Sequence, residues 1–187
     1  MKKRRIAIAS FLLIAVLVMG IGFAALTDNL FIKGEASLAT TSAQTEFDTD
    51  VYFKAAVVAS TNGTNTATPD SAVVGETDKD SATFYVKSLG KKDEKVTFKF
   101  TIENVSTEFD AVITLDTGYP TTTDATNFEI TYSIKDNDVD TGAITCYASN
   151  TVDVYVTVKL KNTPSENMSA AFNVNLTATS TPKATNP

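Results

Sequence analysis

The sequence predicts an all-β fold: an antiparallel two-sheet sandwich, jelly-roll or immunoglobulin-like, behind an N-terminal signal-peptide helix. Three observations carry that expectation. Thr, Val, Ile, Tyr and Phe are plentiful and Trp is absent, and these β-branched and aromatic types suit a pleated, half-buried surface. Apolar and polar residues alternate strictly through several short segments, the period of a strand with one packed and one wet face. Polar turn clusters separate those segments, and no helical period recurs after residue 26.

The chain opens with Lys2, Lys3, Arg4 and Arg5, then the uncharged run from Ile6 to Met19, then the small-residue stretch GIGFAA. Basic, apolar and small-residue regions in that order make a secretory signal peptide, residues 1–24. Cleavage is expected between Ala24 and Ala25, because Gly22 and Ala24 fit the shallow pockets of signal peptidase. The charge-free run from Ile6 to Leu26 is also long enough to cross a bilayer at about 20 residues per span, so an uncleaved anchor is the alternative. The basic start stays in the cytoplasm and sends the rest across. Signal peptidase is therefore an expected partner, and the membrane is met only through the uncleaved precursor. Residues 25–179 are expected to form the sandwich domain and residues 180–187 a disordered tail.

The first mature strand is expected at residues 30–39. Leu30, Ile32, Gly34, Ala36 and Leu38 fall on one face, with Phe31, Lys33, Glu35 and Ser37 on the other. Such a segment pairs as an edge strand in its own sheet or completes a neighbour's open edge, which makes these five residues the candidate assembly strand. Further strands are expected at 48–59 and 82–88, parted by STNGTNTATPD at 60–70. After the LGKKDE turn at 89–94, Val96, Phe98, Phe100 and Ile102 alternate with Thr97, Lys99, Thr101 and Glu103. A strand at 110–116 leads into TGYPTTTD at 117–124, and Phe128, Ile130, Tyr132 and Ile134 mark the next. DNDVDTG at 136–142 and a weaker strand at 143–148 precede Val152, Val154, Val156, Val158 and Leu160. KNTPSEN at 161–167 then leads to the last strand, with Phe172, Val174, Leu176 and Ala178 on one face.

Taking the leader's four basic residues from the chain's 16 leaves 12 Lys and Arg against 22 Asp and Glu, a net charge of −10. Such a surface repels nucleic acid, so neither DNA nor RNA is an expected partner. With no His in the chain, Ser-His-Asp and Cys-His catalysis and His-based zinc sites are excluded. No spacing marks a Ser-Lys dyad or a carboxylate pair across a cleft, and the chain is not expected to be an enzyme. Cys146, the single cysteine, lies in AITCY and reads as a small apolar core residue, with chain linking or a reactive thiol the alternative.

No cofactor is expected, with calcium the one candidate. Asp136, Asp138 and Asp140 stand at alternate positions like the start of an EF-hand loop, but Thr141 takes the place of the turn Gly and Tyr147 that of the closing Glu. An acidic hairpin turn is the expectation, weak calcium binding through carboxylate oxygens the alternative. The pairs Asp48/Asp50 and Asp78/Asp80 are less specific still.

Three segments carry a family likeness: GFAALTDNLFIKGEASL, SLGKKDEKVTFKFTIENVSTEFDAVITL and NMSAAFNVNLTATS. They resemble the TasA/camelysin family of Firmicute secreted biofilm-matrix proteins. In that family a small-aromatic-Ala-Ala junction precedes an acidic segment and the first strand, and a Leu-x-x-x-Asp turn leads into a strand ending in Asn. Here Leu89 and Asp93 stand at that turn and Asn104 ends the strand, while Lys91-Lys92 replace the family's Pro-Gly. The resemblance implies a dedicated signal peptidase, a jelly-roll fold and self-association into extracellular fibres, in the matrix or on a Gram-positive cell surface. The metallopeptidase label given to some members finds no support in a His-free sequence. The alternative expectation is a monomeric surface adhesin or ligand-binding module, using loops 60–70 and 117–124 with Tyr119 and Tyr147.

Overall fold

The computed structural model describes residues 32–41, 47–65, 69–77, 79–136, 139–140, 142–163 and 170–183. In chain order the elements are β1 (Ile32–Thr41), a single helical turn α1 (Phe47–Asp50), β2 (Val51–Thr61), β3 (Ser71–Val74), β4 (Ser81–Val86), β5 (Lys95–Asn104) and β6 (Phe109–Leu115). They continue with β7 (Thr121–Thr122), β8 (Phe128–Asp136), β9 (Val139–Asp140), β10 (Ala143–Cys146), β11 (Asn150–Leu160) and β12 (Ala171–Pro182). Among the described residues, one sheet has seven strands in the order β10-β6-β12-β1-β4-β3, with β7 also paired to β12. The other has five, β2-β5-β11-β8-β9. The two pack face to face, the all-β sandwich that the alternation predicts.

The alternating segments explain the packing directly. Val96, Phe98, Phe100 and Ile102 of β5 are fully buried, as are Val154, Val156 and Val158 of β11, which lie opposite Phe100, Phe98 and Val96 in the ladder. From the other sheet, Phe84 brings its ring within 4.7 Å of Phe98 and 6.0 Å of Phe100. Phe128 meets Phe172 edge-on at 5.7 Å. Each such side chain contributes about 1.5–3 kcal/mol by burial, and each ring pair about 0.5–1.5 kcal/mol more. The aromatic cluster between the sheets thus supplies the cohesion. Cys146 is part of the same core.

Two buried polar residues shape the ends of the sandwich. At one end the carboxylate of Glu94 accepts the backbone N–H groups of Gly90 and Lys91 at 2.6 and 3.0 Å, closing the 89–94 turn. Asp93 in that turn takes φ 69°, a left-handed conformation that Asp tolerates better than most residues, and pairs with Lys159 at 2.8 Å. At the other end Asn104, wholly buried, donates from Nδ2 to the carbonyls of Phe109 (2.9 Å) and Cys146 (3.1 Å) and accepts from the Ser106 N–H (3.0 Å).

Several details depart from the sequence-based expectation. Among the described residues, β1 runs parallel to β12 while every other pairing is antiparallel. First and last strands are separated by the whole domain, so no tight connection forces them antiparallel. Residues 48–50 belong to α1 rather than to the second strand. The short strands β3, β7 and β9 fall in or near segments read as loops. β12 runs on through Pro182, pairing Ser180, Thr181 and Pro182 with Ala111, Asp110 and Phe109, so the ordered chain passes the expected boundary at 179.

Candidate functional site

Of the five residues in the candidate assembly strand, four lie in β1; Leu30 falls outside the described residues, as do Ala24 and Ala25 at the cleavage junction. β1 is not an edge strand. It lies between β12 and β4, in register with β12 from Lys33 opposite Ala171 to Thr41 opposite Thr179. On its other side it pairs with β4, from Ile32 opposite Val86 to Ser37 opposite Ser81. Both of its backbone edges are therefore bonded, each ladder bond contributing about 0.5–1.5 kcal/mol net.

Gly34, Ala36 and Leu38 face the core and are buried, as the alternation requires, while Lys33 and Glu35 are exposed. Across the outer face Lys33 pairs with Glu35, and the hydrogen bond and charge of that carboxylate raise the Lys33 ammonium above its ordinary value. Ser37 Oγ donates to Asn175 Oδ1 at 2.9 Å. On the inner face Gly34 offers no side chain and Ala36 a single methyl, so Leu38 is the one large described anchor. Among its described side chains, then, β1 has few large anchors beside its two continuous ladders.

The groove that receives β1 has the opposite character. Gly34 lies opposite Phe84 of β4 and Phe172 of β12. The two rings stack across it, 6.4 Å between centroids and 8° from parallel. A Cβ at position 34 would lie 2.0 Å from Phe84 Cζ, deep inside van der Waals contact. Further along, Ala36 lies opposite Ala82 and Val174, and Leu38 opposite Leu176. An unaccompanied Gly in an alternating strand was the available signal for such a close approach; its partners Phe84 and Phe172 were not identified from the sequence.

The other candidate residues do not gather into a site. Asp136 ends β8 opposite Val139, and Asp140 in β9 is opposite Lys135; Asp138 lies outside the described residues. Among the described residues, no group of three or more Cys, Asp or Glu is placed to hold a metal ion. Tyr147 follows Cys146, which pairs with Ala111 near the start of β6, whereas Tyr119 comes after the end of β6, so the two aromatic residues of the adhesin reading adjoin opposite ends of that strand. Cys146 is fully buried, its Sγ donating to the Asn150 carbonyl at 3.3 Å, and burial pushes its thiol up to about 11. It has the character of a core residue, not of a reactive thiol.

Compared with known proteins, the chain matches no family model and no curated protein.

Proposed function

We propose that the mature chain is a secreted structural subunit of an extracellular matrix or surface fibre, and that it assembles through β1. One observation carries the reading: β1 is bonded along both edges, and among its described side chains Leu38 is the one large apolar anchor. A strand held in that way makes contacts that a second copy's strand reproduces bond for bond, so only association entropy separates the internal arrangement from the exchanged one. The resemblance of the leader junction and the 88–115 segment to the TasA/camelysin family supports the same reading. In this account signal peptidase releases the chain, self-association follows, and neither catalysis nor nucleic acid is involved.

Electron microscopy and sedimentation velocity of the concentrated mature protein, across a range of pH and calcium, test the proposal. Fibres are expected from the intact mature chain and none from a chain lacking residues 25–41. A product that stays strictly monomeric under all those conditions overturns it. Replacing Ala24 by a bulky residue is expected to block cleavage and leave the chain tethered without fibres; normal fibres from that variant would remove cleavage from the assembly route.

A further inference from the structure

We propose that Gly34 is the specificity-determining residue of the groove between β4 and β12: a segment enters only if it presents Gly where the Phe84 and Phe172 rings stack. The inference rests on the fibre reading in that the entering segment is taken to be β1 of a second copy, and it adds which strands that groove accepts.

Register makes the requirement strict. A slip of one residue turns the strand over and puts Lys33, Glu35 and Ser37 against the core. A slip of two keeps the face but brings either Ile32 or Ala36 to the position covered by the Phe84 ring, where a Cβ meets Phe84 at 2.0 Å. The pairs that follow, Ala36 with Ala82 and Val174 and then Leu38 with Leu176, call for a small residue two positions on and a larger apolar one four positions on. The signature is therefore Gly-x-Ala-x-Leu. In the sequence it occurs at Gly34-Ala36-Leu38 and once more at Gly22-Ala24-Leu26, and cleavage after Ala24 splits the second copy. The mature chain carries the signature once, so its groove selects a single segment in a single register.

Peptide capture separates this from folding of the chain itself. The full mature chain is unfolded in urea and refolded with an excess of labelled synthetic peptide spanning residues 30–41, either unaltered or carrying Gly34→Ala, and captured peptide is measured by native mass spectrometry. The unaltered peptide is expected to be captured and the Gly34→Ala peptide at least about tenfold less, the scale of an overpacking penalty. A Phe84→Leu chain, with a smaller side chain at the clash, is expected to narrow that difference. Equal capture of both peptides by the unaltered chain, or capture of neither, overturns the proposal. Selective capture by a chain that never forms fibres would sustain Gly34 as the selector while overturning the fibre reading. Normal fibres from a Gly34→Ala chain would do the reverse.

Discussion

Replacing Asn104 tests whether a buried polar clasp, and not only the aromatic core, holds the end of the sandwich where β5, β6 and β10 meet. Its side chain makes three hydrogen bonds, from Nδ2 to the Phe109 and Cys146 carbonyls and to Oδ1 from the Ser106 N–H. No part of the residue is exposed, and Ser106 is nearly buried as well, so water does not readily replace the lost partners. Asn104→Ala leaves a buried N–H and two carbonyls short of a partner, a loss of about 2–4 kcal/mol, less than three full penalties of about 1–3 kcal/mol because each carbonyl keeps a second lone pair. Asn104→Asp keeps the acceptor for Ser106 but turns a carboxylate oxygen toward two carbonyl oxygens, and is expected to be worse still. Urea unfolding followed by circular dichroism reads both; at a slope of about 2 kcal/mol/M the alanine variant shifts its midpoint by about 1–2 M. An alanine variant within about 0.5 kcal/mol of the parent, the usual range for unimportant surface changes, or an aspartate variant more stable than the alanine one, would refute the reasoning.

Other outcomes follow from the same structure. Burial opposes ionisation of Glu94, but the N–H groups of Gly90 and Lys91 and the hydroxyl and N–H of Thr64 outweigh it and hold the carboxyl below its usual value of 4.5. Its contribution to stability is thus complete above that value and lost as pH falls through the lower folded one; Glu94→Gln is expected to flatten the stability profile below pH 4.5, measured by urea unfolding at stepped pH. The Cys146 thiol, raised to about 11 by burial, is expected to resist a thiol reagent at pH 8 in buffer and to react at once in urea, and rapid labelling of the folded protein would contradict its placement. The acidic segment with Asp136, Asp138 and Asp140 lacks the turn Gly and closing Glu of an EF-hand, so calcium is expected to bind no tighter than about 0.1–1 mM. Titration calorimetry checks this, and micromolar binding abolished by Asp138→Asn would reveal a built site.

Strand faces were legible in the sequence because side-chain period and burial are linked locally. Val96, Phe98, Phe100 and Ile102 alternate in the chain and are all buried in the sandwich. Strand neighbours were not legible, because the period says which face is inside but not which strand lies alongside. Hence β1, expected either as an edge strand of its own sheet or as a strand completing a neighbour's open edge, lies between two partners in its own sheet. β3 has four residues and β7 and β9 two each, too short for any period to register; they exist because a longer strand offers a ladder beside them. At the candidate site the sequence placed Gly34 only as one of five residues on a face, because the ring that requires a Gly there, Phe84, comes from β4, an element remote in the chain. Cys146 needed no such partner, since its apolar setting in AITCY already pointed to the core.

The parallel pairing of β1 with β12 also decides how the domain carries load. The two strands run side by side through nine register pairs, from Lys33 opposite Ala171 to Thr41 opposite Thr179. Tension that draws the start of β1 and the end of β12 apart runs along those strands, so their shared hydrogen bonds are strained together in shear instead of being unzipped in turn. The first and last strands act as a mechanical clamp, placed where a subunit joined end to end would feel the pull.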